Sequence, residues 1–95
     1  MKIAFRVTGR VQGVGYRAFA LGEARVFGLA GWVRNAEDGA VEGLAEGRPR
    51  ELEQLRERLQ KGPLWGRVEA LEWVILDEEG PDPSQSLPRP FEIRR

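Results

Sequence analysis

The chain has 95 residues, enough for one compact domain with one hydrophobic core and too few for two, so any site must be assembled from neighbouring loops of one fold. Hydrophobic residues at 41% and charged residues at 32% describe an ordinary soluble globule, and fifteen basic and fifteen acidic side chains cancel, which removes the overall positive field of a nucleic-acid binder. There is no cysteine and no histidine, so disulfides, thiolate chemistry, the commonest metal ligand and the commonest general base are all excluded.

The start, Met1 Lys2 Ile3 Ala4 Phe5 Arg6, interrupts its apolar residues with charge, and no later stretch is uniformly apolar for about 18 residues. Neither a signal peptide nor a membrane span is expected, and a cytoplasmic monomer is the default. Carboxylates alone remain as metal ligands. They fall mainly on strand and helix faces rather than in a spaced ligand loop, so no metal and no other cofactor is expected.

Ile3, Phe5 and Val7 alternate with Lys2, Ala4, Arg6 and Thr8, the period-two pattern of a half-buried first strand ending near Val11. A glycine-rich stretch follows, Gln12 Gly13 Val14 Gly15 Tyr16. Ala20, Ala24 and Phe27 then recur at helical spacing until Gly28 supplies a stop. Residues 29–35 are short and rich in Trp and Val, Asp38 Gly39 signals a turn, and residues 41–46 alternate again, which predicts a hairpin. Pro49 suits a first helical turn, Leu52, Leu55 and Leu59 form one apolar stripe, and Gly62 Pro63 ends it, predicting a helix over 49–61. Residues 68–76 form a further strand whose alternation changes phase between Val68 and Leu71, as a bulge would require. Trp73 and Ile75 are expected to face inward. Residues 80–90 carry four prolines and predict a surface loop, after which Phe91 and Ile93 alternate with Glu92 and Arg94 in a short closing strand.

The order β-α-β-β-α-β plus a short fifth strand predicts an α+β, ferredoxin-like split βαββαβ sandwich over a single domain, 1–95: an antiparallel sheet with two helices on one face. That fold serves enzymes, RNA-binding modules, metal carriers and ligand sensors, so the loops must decide the activity. In this topology the first two strands are parallel with one strand between them, about 10 Å apart, and their C-terminal ends share one sheet edge. The loop 12–17 and Asn35 both lie there.

Gly13 and Gly15 allow backbone N–H groups to curl around an anion, and the free N–H groups of the helix that follows favour negative charge. A tight strand-to-helix turn would use the same glycines. Arg17 falls in the first helical turn, where a cation opposes the helix dipole unless an anion is bound beside it, and its guanidinium can grip two phosphate oxygens at once. A solvated surface arginine is the alternative. Asn35, the only Asn of the chain, can both donate to and accept from a water, or can simply form the 35–39 turn.

Two segments carry a resemblance. V-T-G-R-V-Q-G-V-G-Y-R, residues 7–17, resembles the first signature of the acylphosphatase family, and G-W-V-R-N-A-E-D-G-A-V-E-G-L-A-E-G, residues 31–47, resembles the second. The C-terminal F-E-I-R-R is similar as well, so the resemblance spans nearly the whole chain. It implies metal-independent hydrolysis of a small-molecule acyl phosphate, with the phosphate held by Arg17 and the backbone of Gln12, Gly13, Val14, Gly15 and Tyr16, and with Asn35 orienting the attacking water. Tyr16 departs from the more usual Phe, and needs a partner for its hydroxyl if the ring is buried. Gly22 weakens the first helix without touching the site.

The missing residues fit this chemistry. An acyl phosphate expels a carboxylate whose conjugate acid has a pKa of about 4, so no catalytic acid is needed. Other readings fare less well. A non-catalytic module, of the kind embedded in larger maturation enzymes, would keep the phosphate loop. An RNA binder would need exposed aromatics on residues 39–46, which hold none, and the tryptophans 32, 65 and 73 are expected in core or rim packing.

Overall fold

The computed structural model describes residues 1–76 and 87–95. It contains β1 (Lys2–Arg10), α1 (Tyr16–Val26), β2 (Ala30–Asn35), β3 (Val41–Glu46), α2 (Pro49–Lys61), β4 (Arg67–Leu76) and β5 (Glu92–Ile93). The sheet order is β4-β1-β3-β2-β5. β1 runs antiparallel to both β3 and β4, and β2 antiparallel to β3, so β1 and β2 are parallel with one strand between them. The fifth strand pairs parallel to β2, which makes the five-stranded sheet mixed rather than wholly antiparallel.

Alternation decides which face is buried. Ile3, Phe5 and Val7 of β1, Val33 of β2 and Val41 and Ala45 of β3 turn to one side, where Tyr16, Ala20 and Ala24 of α1 and Leu52, Leu55 and Leu59 of α2 cover them. Removing these side chains from water is the main force holding the two layers together. The segment leading into β5 adds Phe91, which is fully buried, and is tied to its neighbours by Gly31 N–H to Pro88 O at 2.8 Å and Arg25 Nε to Phe91 O at 3.0 Å.

The phase change expected near Val68 is a bulge. Thr8 pairs with Ala70 but Gly9 with Val68, leaving Glu69 as the extra residue of β4. Gly9 has to be glycine there, because a Cβ would lie 2.2 Å from the Arg67 carbonyl oxygen. Two expectations change. Ile75 is 63% exposed although it shares the inward face with Trp73, because β4 is an outer strand and the helices cover that face only as far as Trp73. The tryptophans also part company: Trp73 packs against the core, Trp32 lies on the open face between the Arg34 and Arg94 guanidinium groups, and Trp65 stands in solvent. Most of the predicted proline-rich loop lies outside the described residues.

Candidate active site

Three connections leave the sheet at the same end: the β1–α1 loop, the β2–β3 turn and the α2–β4 turn. The first begins at Val11, whose buried side chain anchors the strand end, and then reverses through Gly13 (φ 77°) and Gly15 (φ 79°). Both glycines sit in the left-handed region that side chains disfavour, and nothing lies within 4 Å of where a Cβ would be. The loop therefore presents bare backbone. Helix α1 follows at once; its N-cap is Gly15, no side chain caps it and no acidic residue occupies its first turn. Its leading N–H groups and the positive end of its dipole are left for an anion.

Arg17 and Asn35 line one cavity of about 240 Å³ with Gly13, Gly15 and Tyr16. The two side chains reach it from different elements, the first turn of α1 and the last residue of β2. Neither has a hydrogen-bond or ion-pair partner among the described residues. Two nearby arginines are engaged. Arg6 is paired with Asp38, and Arg34 Nε donates to Glu42 Oε1 at 3.2 Å, so two of the cations lining the broader depression on the far side of Asn35 are already neutralised, while the third, Arg95, also lines the cavity of Arg17.

Of the six expected loop residues, Gln12 and Val14 do not line the cavity. Val14 is half-buried against the core. Gln12 turns its side chain the other way, and Nε2 donates to the carbonyls of Ala36 and Ala40 at 2.9 Å each. That amide ties the β1–α1 loop to the turn that carries Asn35. The turn is tightened further by Ala36 N–H to Ala40 O at 2.8 Å and by Ala40 N–H to Asp38 Oδ1 at 3.2 Å. The Ala40 N–H, and after it Arg6, hold the Asp38 carboxyl below its ordinary range.

Tyr16 answers its own departure from Phe. Its ring is buried and its hydroxyl donates to the Leu59 carbonyl at 2.5 Å. In a continuing helix that carbonyl would accept from residue 63, which is proline and has no N–H. Burial pushes the phenol well above its ordinary pKa, so the hydroxyl stays a donor. Sequence reasoning did not reach Ala18, Ile93 and Arg95, which also line the cavity. Ile93 and Arg95 arrive because β5 lies beside β2, a pairing that no local pattern reveals.

No group of three or more acidic side chains among the described residues could hold a metal ion, and no helix there is long and apolar enough to cross a membrane. The sequence model of the acylphosphatase family matches residues 3–92. An acylphosphatase of Thermus thermophilus is 53% identical over 74 residues, covering 78% of this chain and 84% of the relative. The crystal structure of acylphosphatase from Bacillus subtilis superposes with a TM-score of 0.85 at 37% identity, over 99% of this chain and 98% of the other. HypF of T. kodakarensis contains a similar unit, with a TM-score of 0.78 and 32% identity over 100% of this chain but only 12% of HypF.

Proposed function

The chain belongs to the acylphosphatase family and is a hydrolase, and from that premise we propose that residues 1–95 form one catalytic domain that hydrolyses acyl phosphates without a metal. One observation carries the reading. A guanidinium and an amide, both without other partners among the described residues, line a single small cavity beside a glycine loop and an uncapped helix N-terminus.

In this mechanism Arg17 and the backbone N–H groups of the loop hold the phosphoryl oxygens, as an oxyanion-binding site holds developing charge. Asn35 accepts one hydrogen bond from a water and aims its oxygen at phosphorus. The water oxygen bonds to phosphorus as the bond from phosphorus to the acyl oxygen breaks, releasing a carboxylate and inorganic phosphate. A carboxylate leaves without protonation, and a phosphate oxygen of the substrate takes the proton of the water. No general base is required of a chain that has no histidine. The work asked of the protein is positioning and charge stabilisation.

The test is phosphate release from acetyl and benzoyl phosphate in the presence of EDTA. Arg17→Ala and Asn35→Ala should each lower turnover by roughly a hundredfold or more, the usual cost of losing one preorganised donor. Arg17→Ala should also weaken inhibition by inorganic phosphate. A folded variant with the parental rate refutes the role given to that residue, and activity abolished by EDTA refutes metal independence. The likeness to a small part of HypF favours a second reading, a phosphate-binding module without turnover, which the same assay separates.

A further inference from the structure

We propose that Leu64 and Trp65 form an apolar platform for the acyl group of the substrate and give the enzyme a preference for aromatic acyl phosphates. The inference rests on the hydrolase reading above. Leu64 is 87% exposed and Trp65 is 76% exposed, and Trp65 is the one aromatic among the large exposed hydrophobic residues described. They occupy the two central positions of a tight turn closed by Gly66 N–H to Pro63 O at 3.0 Å, which holds both side chains away from the core. Two adjacent large apolar residues at a fixed turn tip suit contact with a partner or ligand better than they suit water.

Position selects the ligand. A Cβ on Gly66 would lie 3.4 Å from the Arg10 carbonyl at the end of β1, and one on Gly62 would lie 3.6 Å from the Tyr16 ring. The turn therefore flanks the loop that bears Gly13 and Gly15. Along the sheet edge the order β4-β1-β3-β2 puts this turn on one side of the loop and Asn35 on the other. In-line displacement requires water and leaving group on opposite sides of phosphorus. With the water on the Asn35 side, the acyl group is directed over the loop toward Leu64 and Trp65. Gly13 and Gly15 have no side chains to block that path.

A flat apolar acyl group would stack on the indole, whereas an acetyl group presents no ring to stack. Trp65→Ala should lower kcat/KM for benzoyl phosphate by about fivefold to twentyfold, the range for removing one aromatic contact and its buried area. Acetyl phosphate turnover and inhibition by inorganic phosphate should be unchanged. Trp65→Phe should restore most of the preference, and Leu64→Ser should lower it further when combined with Trp65→Ala. Equal loss on both substrates, or no loss on either, overturns the platform. A parent protein that hydrolyses neither substrate refutes the hydrolase reading itself, and the platform with it.

Discussion

The amide of Gln12 links the two halves of the candidate site, and Gln12→Ala isolates what that link does. The substitution removes two hydrogen bonds of 2.9 Å, to Ala36 O and Ala40 O, across 24 and 28 residues of chain. The first is exposed, so water replaces it at little cost; the second is partly buried, and its loss costs about 1 kcal/mol. Ala40 O keeps the Ala36 N–H at 2.8 Å, so the turn itself survives. In a domain of this size that cost lowers Tm by about 4–8 °C. The effect on catalysis should be larger. Asn35 is then held by its strand and turn without the tie to the loop, and a misplacement of about 1 Å in a positioning residue can lower the rate by about a hundredfold. Inhibition by inorganic phosphate should change little, because Arg17 and the helix N-terminus are untouched. The assays are thermal unfolding, acyl phosphate turnover and phosphate inhibition on one preparation. A lower Tm with parental kcat would mean that the link serves stability only, and the positioning argument would be wrong.

Tyr16→Phe should destabilise the fold by about 1–3 kcal/mol in denaturant unfolding, since it strands the buried Leu59 carbonyl, and a variant as stable as the parent would show that the bond contributes nothing. The same pair carries a pH signature. The folded phenol is raised above its ordinary value of 10.0, so its stabilising contribution is complete below pH 10.0 and declines above it, by about 1.4 kcal/mol per pH unit. Alkaline unfolding of Tyr16→Phe should lack that component; matching slopes for parent and variant would refute the assignment. Gly15→Ala meets no atom within 4 Å, so only backbone strain of about 1–2 kcal/mol opposes it, and the loop should relax away from its anion-binding shape. Phosphate inhibition should then weaken in a variant that remains folded, and unchanged inhibition would show that the loop backbone does not hold the anion.

Local patterns determined much of this protein by themselves. The two-residue alternation of β1 and β3 and the leucine stripe of α2 each report the burial of one face, which is a local consequence of backbone geometry. Helix α2 runs over Pro49–Lys61 as its proline start and glycine stop require, and the phase change in β4 marks the bulge at Glu69. Arg17 and Asn35 could be singled out because helix dipoles and strand ends are properties of short segments. Their sharing of one cavity, their lack of partners among the described residues and the contribution of Ile93 and Arg95 were decided only by tertiary structure. So was the turn of Gln12 away from the cavity, and so was the exposure of Ile75 and Trp65. Those facts depend on which strands become neighbours and how far the helices extend over the sheet, and a chain read one segment at a time carries neither.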